Sequence, residues 1–340
     1  MSDPPGGPGT VGRDSAVPPG GAGEGQELPT TTSVRGQRRR SHAGDFLVAV
    51  LALAVAAVLV GHRLIPDVAG SSTILESILP WVGVLVPPLA LVGLMARAWA
   101  GIAVLLVPAL AWAIMFVPAV LPKNPAGSGQ LTVVSQNIDA DNPNPCAALS
   151  ALATQQADLV SVQELTGKTS DCSSAAFGER YPYHVTSSSV TLWSRYPLRR
   201  TQPLELGLDW ARALRTEVTT PHGDVAVYAV HLPSARPDDT AQRNRGLADL
   251  DRQLSADSAR RVLVVGDLNT ATTDREFGIF GGFQDSQQSA GTGFGFTWPA
   301  AFPVTRPDHM LYRGMTAVSA GTLAASGSDH LAINASLALT

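Results

Sequence analysis

Six short polar clusters flank the apolar runs in the C-terminal two thirds of this chain. Asn137 follows LTVVSQ, Gln163-Glu164 follows ADLVSV, and His231 follows VAVYAV. Gly266-Asp267-Leu268-Asn269 follows RVLVV, and Pro307-Asp308-His309 and Ser328-Asp329-His330 come later. Each apolar run reads as a buried strand, so the clusters fall at strand ends, where loops assemble sites. Carboxylates, carboxamides and imidazoles together suit a hydrated Mg²⁺ and a phosphate ester.

Taken singly, each cluster also has a plain structural reading. Glu164 ends an otherwise apolar strand and needs a partner, which a Mg²⁺ ion or a salt bridge would supply. Gly266 lets the backbone turn sharply, and Asp267 and Asn269 would share one side of an extended segment. That pair could hold a water and a phosphate oxygen, or merely form an Asx turn. Asp308 or Asp329 bound to one nitrogen of His330 would raise the basicity of the other. His231 and Asn137 alone favour a structural role.

The elements that must place these residues form a mixed α/β pattern. LTVVSQNI, ADLVSVQE, SVTLWS, RALRTEVTT, DVAVYAVHL, RVLVVGDLN, HMLYRG and HLAINASL read as strands. Cys146–Gln156 and Thr240–Asp257 read as helices, the second with Leu247, Leu250 and Leu254 on one face. Two packed sheets flanked by helices are the expected result.

Upstream, charged residues make up only 15% of the whole chain, and the apolar excess is concentrated in 46–121. Three candidate spans lie there, at Phe46–Ile65, Ile78–Ala96 and Trp99–Leu121, each long enough to cross a bilayer as a helix. Trp81 and Trp99 suit interface anchors, and Pro87, Pro88 and Pro108 would kink the spans. Arg35, Arg38, Arg39 and Arg40 precede the first span and Arg97 sits between the second and third. The positive-inside rule then places the N-terminus in the cytoplasm and the C-terminal domain outside. The expected organisation is a disordered tail (1–44), an anchor (45–121), a Pro/Gly linker (122–130) and a catalytic domain (131–340). A fragment from about Gly129 is expected to fold alone. Cys146 and Cys172, the only cysteines, lie in the exported part, as one disulfide or two free core thiols.

The clusters occur in the order and register of a known superfamily. Residues 131–340 resemble the endonuclease/exonuclease/phosphatase superfamily, with Ser194-Arg195-Tyr196-Pro197-Leu198 and Thr297-Trp298 as secondary signatures. The resemblance implies a four-layer α/β sandwich of two packed mixed sheets, here preceded by three transmembrane helices. It implies Glu164 as principal Mg²⁺ ligand (Mn²⁺ being an alternative ion), with Asn137 beside it and Asp329 assisting at the metal. Asp267 would orient the attacking water and Asn269 would bind phosphate. His330, oriented by Asp308, would contact the scissile phosphate, with His231 as a second imidazole. A binding module with vestigial catalysis would tolerate loss of Glu164, Asp267 or His330, and all three are present.

From Asn124 onward the chain has 16 Lys and Arg against 21 Asp and Glu, and Lys168 is its sole lysine. Nucleic-acid affinity rests on basic residues, so no dedicated nucleic-acid partner is expected. The arginines on the Thr240–Asp257 helix read as a solvated face. A tethered site instead meets lipid head groups and lipid pyrophosphates at high effective concentration. The architecture is similar to actinomycete proteins of the VanJ type, associated with glycopeptide resistance and undecaprenyl pyrophosphate. An extracytoplasmic nuclease or phospholipase C-like phosphodiesterase is the alternative.

Overall fold

The computed structural model describes residues 42–123, 125, 127–236 and 239–340. Nearly all of the tail expected over 1–44, with Arg35, Arg38, Arg39 and Arg40, lies outside the described residues.

Three helical segments are long and apolar enough to cross a membrane: His42–Leu64, Leu79–Ala96 and Trp99–Val120. The first is α1 (His42–Gly61), and the loop after it carries a short helix, α2 (Ser71–Ser77). The second begins as a 3₁₀ turn (Leu79–Leu85) and becomes α-helical in α3 (Val86–Ala96). Pro87 and Pro88 fall in the first turn of α3, where a missing N–H removes no helical bond. The third divides at Leu105 into α4 (Trp99–Val104) and α5 (Leu106–Val120), with Pro108 in the first turn of α5.

Beyond the linker, two six-stranded mixed sheets pack face to face. The first is built from β1 (Leu131–Asn137), β2 (Leu159–Gln163), β3 (Tyr183–Ser187) and β4 (Val190–Ser194). The second comprises β5 (Leu198–Leu204), β6 (Ala213–Thr220), β7 (Gly223–His231), β8 (Val262–Asp267), β9 (Gln284–Asp285) and β10 (Asp308–Arg313). The chain then returns to the first sheet with β11 (Thr316–Leu323) and β12 (Ala332–Ala338). The strand orders are β11-β12-β1-β2-β4-β3 and β5-β6-β7-β8-β10-β9. Alternate residues of the central strands, among them Val133, Leu159, Val227, Leu263, Val265 and Met310, meet between the sheets. Each such side chain contributes about 1.5–3 kcal/mol when fully buried.

Helices cover the outer faces and complete four layers. On the first sheet α6 (Pro145–Thr154) and α7 (Ser170–Phe177) pack Leu149, Leu152 and Phe177 against Val160, Val162 and Trp193. On the second, α8 (Ala241–Ala256) buries Leu247, Leu250 and Leu254 against Tyr228, Val262 and Val264. A short helix, α9 (Ser286–Ala290), follows β9. Cys146 and Cys172 form a disulfide that joins α6 to α7.

The C-terminal domain also packs directly against the membrane-length helical segments and the loop between them. Glu76 of α2 is fully buried and accepts hydrogen bonds from the Arg275 backbone N–H (2.8 Å) and guanidinium (2.9 Å). Arg275 also donates to the carbonyls of His62 and Ile65, and Thr273 donates to the carbonyl of Glu76. Trp81 is not a free interface anchor. Its indole N–H donates to the Val304 carbonyl (2.9 Å), and its ring lies against Phe296 and Phe302. Phe294 of the domain packs into the cluster of Val55, Leu59, Leu79 and Phe116.

Candidate active site

Strand register explains why residues from six distant segments meet. The parallel pair β1–β2 sets Asn137 opposite Gln163, so Glu164 leaves the sheet beside Asn137. In the second sheet the parallel pair β7–β8 sets His231 opposite Asp267. Antiparallel β10 begins there, with Asp308 opposite Asp267. β12 runs antiparallel to β1 and pairs Ile333 with Ser135, which brings His330 back beside Asn137. Carboxyl ends of the central parallel strands thus share one edge of the sandwich. Gly266 is required at this edge: its φ is +137°, and a Cβ there would lie 2.0 Å from the Val230 carbonyl oxygen.

All eight candidate residues fall into one chain of polar contacts. Asn137 Nδ2 donates to Glu164 Oε1 (3.0 Å) and Asp267 Oδ2 (3.1 Å), linking the two sheets. Its Oδ1 accepts the Asp139 N–H (3.0 Å), so the carboxamide presents its nitrogen, not an oxygen ligand, to the carboxylates. Glu164 Oε2 accepts the Ala140 N–H (2.9 Å), and Oε1 lies 3.5 Å from His231 Nε2. His330 Nδ1 lies 2.8 Å from Asp308 Oδ2. His330 Nε2 stands 4.0 Å from Asp267 Oδ2 and 3.9 Å from Asp329 Oδ1. Asp329 is anchored by the indole N–H of Trp298 (3.0 Å). Asn269 is not extended as expected: with φ +50° it turns back, its backbone N–H donating to Asp267 Oδ1 (2.8 Å) and Nδ2 to the Leu232 carbonyl. Glu164 likewise takes a left-handed φ of +60°, uncommon for a side chain without local bonding and a form of strain found at sites.

Burial sets the charges. The carboxyl of Asp267 is pushed up to about 7 by burial and by the neighbouring charge of Asp308. Burial disfavours the charged form of His330, but Asp308, Asp267 and Asp329 outweigh it and raise the imidazole to about 10. Burial drives His231 down to about 4, so it is neutral near pH 7, and its Nδ1 has no partner among the described residues. Burial raises Glu164, yet the bonds from Asn137 and Ala140 and the nearby imidazoles leave it below its ordinary range.

The donor set fits a hard, hydrated cation. Glu164 and Asp329 are partly exposed carboxylates, and Mg²⁺ takes one or two such oxygens while keeping waters. Ligand atoms of Asp267, Asp308 and His330 also lie within 4.8 Å of one another. That trio differs from the expected ligand set, and a doubly protonated His330 serves it better as an ion-pair partner than as a ligand.

Several contributors escaped sequence reasoning. His309 points away from the site, as alternation with Asp308 requires, whereas Gln163 faces the same inter-sheet side as its register partner Asn137. Gln163 binds the Ser161 hydroxyl, and His309 bridges Asp285 and the Thr270 carbonyl. Ser328 donates to the Asn137 carbonyl and accepts the His330 N–H. Arg243 is no part of a solvated face. It is fully buried, paired with Asp274, and donates to the Asn269 carbonyl (3.3 Å) and to Thr73 of the anchor loop (3.4 Å). Six of the eight candidates, all but His231 and Asp308, line a cleft of about 440 Å³, and α2 lines it through Thr73, Ile74 and Ser77, followed by Ile78. Only a buried partner such as Asp274 could have distinguished Arg243 from its exposed neighbour Arg245, and sequence does not show partners.

Residues 134–330 match the model of the Endonuclease/Exonuclease/phosphatase family. No curated protein matches the chain by sequence. Among solved structures, the chain is similar to D. rerio TDP2 complexed with single strand DNA product, at 19% identity and TM-score 0.53. That match covers 61% of this chain and 98% of the other. It is also similar to the endonuclease/exonuclease/phosphatase from Bacteroides vulgatus, at 14% identity and TM-score 0.53, covering 62% and 99%. Truncated Caenorhabditis elegans TDP2 matches at 18% identity, TM-score 0.52, covering 61% and 97%. At these identities the likeness establishes the fold.

Proposed function

The chain belongs to the endonuclease/exonuclease/phosphatase family, and on that premise we propose that it is a membrane-anchored, metal-dependent phosphohydrolase. In this reading it works outside the cytoplasmic membrane on a lipid pyrophosphate of the undecaprenyl type, and so confers glycopeptide resistance of the VanJ kind. One observation carries it: Asn137, Glu164, Asp267, Asn269, Asp329 and His330 line a cleft whose other wall includes Thr73, Ile74, Ser77 and Ile78 from between the first two membrane-length segments. The acidic, lysine-poor domain supports a small phosphate substrate over polymeric nucleic acid. The Cys146–Cys172 disulfide supports an oxidising compartment.

Glu164 and Asp329 would hold the divalent cation, which when bound supplies Lewis-acid polarisation of a phosphoryl oxygen. Asp267, a buried carboxyl poised near 7 and steadied by Asn137 and the Asn269 N–H, receives the proton of the attacking water. His330, charged and fixed by Asp308, stabilises negative charge on the phosphate. His231, neutral beside Glu164, is free to hydrogen-bond the phosphate or the leaving oxygen.

The test is a phosphate-release panel on full-length detergent-solubilised protein, comparing undecaprenyl pyrophosphate, phospholipids and plasmid DNA with Mg²⁺ or with EDTA. Mg²⁺-dependent phosphate release from the pyrophosphate is expected. Glu164→Gln should lower it by roughly 10²–10³ and weaken its Mg²⁺ dependence, with the melting curve retained. Cleavage of DNA without pyrophosphate hydrolysis would assign the nuclease alternative.

A further inference from the structure

The loop between the first two spans does more than connect them. Ile74 of α2 and Ile78, which caps the helix and donates its N–H to the Ile74 carbonyl, lie four residues apart, and both line the cleft that holds Glu164, Asp267 and His330. They remain 47% and 39% exposed, a costly state for isoleucine in water unless a ligand covers it. Glu76, between them in sequence, is fully buried and clamped by Arg275 and Thr273, so the helix cannot roll its apolar side away. Thr73 is held in addition by the buried Arg243. Trp298, 41% exposed, adds an aromatic surface to the same cleft.

What covers this strip is set by what lies at its two ends. One end is the cluster of acids and imidazoles that suits phosphate. The other is Ile78, followed directly by Leu79, the buried first residue of the second membrane-length segment. A ligand fitting both ends has a phosphate head and an apolar chain directed toward the bilayer. A nucleotide strand would instead place polar sugar and a second phosphate against isoleucine.

We propose that Ile74 and Ile78, with Trp298, form a chain-selecting wall that grips the first carbons of an apolar group esterified to the phosphate. The anchor thus contributes substrate specificity and not only location. This deepens the reading of the cleft as a phosphate-hydrolysing site and rests on it.

Full-length protein in detergent is assayed on farnesyl and isopentenyl pyrophosphate, and the ratio of the two kcat/KM values is taken. The natural protein should favour the longer chain, and Ile74→Ser/Ile78→Ser should reduce that ratio by about tenfold or more, chiefly through KM for the farnesyl substrate. Ile74→Leu/Ile78→Leu should preserve the ratio, as should Val68→Ser, an exposed apolar residue outside the cleft. If the natural protein hydrolyses neither pyrophosphate, the pyrophosphate reading fails. The wall is then scored by the same ratio on dodecyl and methyl p-nitrophenyl phosphate. No chain-length preference in either pair, or a preference that survives the double serine variant, overturns the proposal.

Discussion

Asp308 and His330 illustrate how one contact sets two roles. Asp308 faces His330 Nδ1 at 2.8 Å and is itself buried, so under the proposed function it would act on the phosphate only through the imidazole it orients. Removing the carboxylate after the imidazole is gone should therefore cost little more. Asp308→Ala/His330→Ala is expected to match His330→Ala alone in kcat/KM, and fully multiplicative losses would separate the two residues. The residues alone left Asp308 and Asp329 open as the partner of His330, and only the family resemblance implied Asp308. The part played by Asn137 was less legible, since a carboxamide shows its donor or its acceptor only when its neighbours are placed. Here two carboxylates receive its nitrogen.

At the level of elements, the central strands were readable and the edge strands were not. β5 is exposed along most of its length and β11 is mostly Ala, Ser, Gly and Thr, so neither presents an apolar run. Elsewhere, side chains on different strands form clamps, as at Asp257, which follows α8. Burial raises this carboxyl, but Arg215, the Ala259 N–H and the Tyr228 hydroxyl more than offset that and hold it at about 2. A carboxyl depressed on folding adds stability that is present above its unfolded value of about 3.8 and is lost as pH falls toward 2. Asp257→Asn should accordingly lower the melting temperature by a few degrees at neutral pH. The gap from the natural protein should close between about pH 4 and pH 2. A gap independent of pH would assign the loss to packing.

For the molecule as a whole, the membrane-length segments and the C-terminal domain are joined through Glu76, Arg275, Arg243 and Trp81. A fragment from Gly129 to Thr340 would leave Arg275 without Glu76 and bare Phe294 and Phe296 to water. It should aggregate or melt well below the full-length protein in detergent scanning calorimetry; equal melting temperatures would show that docking adds nothing. Placement outside the membrane is tested with fusions after Thr340. Alkaline phosphatase should be active there and a fluorescent protein exported by the general secretory route should stay dark, and the reverse pattern would invert the topology.

Residue types at strand ends, apolar runs of membrane length and the acid excess are properties of local sequence, and they sufficed to point to the spans, the catalytic fold and the eight candidate residues. Local sequence carries them because a strand and an apolar span each follow from side-chain chemistry over a few neighbouring positions. The joining of Cys146 to Cys172, the burial of Arg243, the left-handed turn at Asn269 and the docking of α2 over the cleft were decided only by tertiary structure. Each depends on a partner distant in sequence, and the partner of a buried charge or an exposed isoleucine is chosen by packing, which no window of sequence contains.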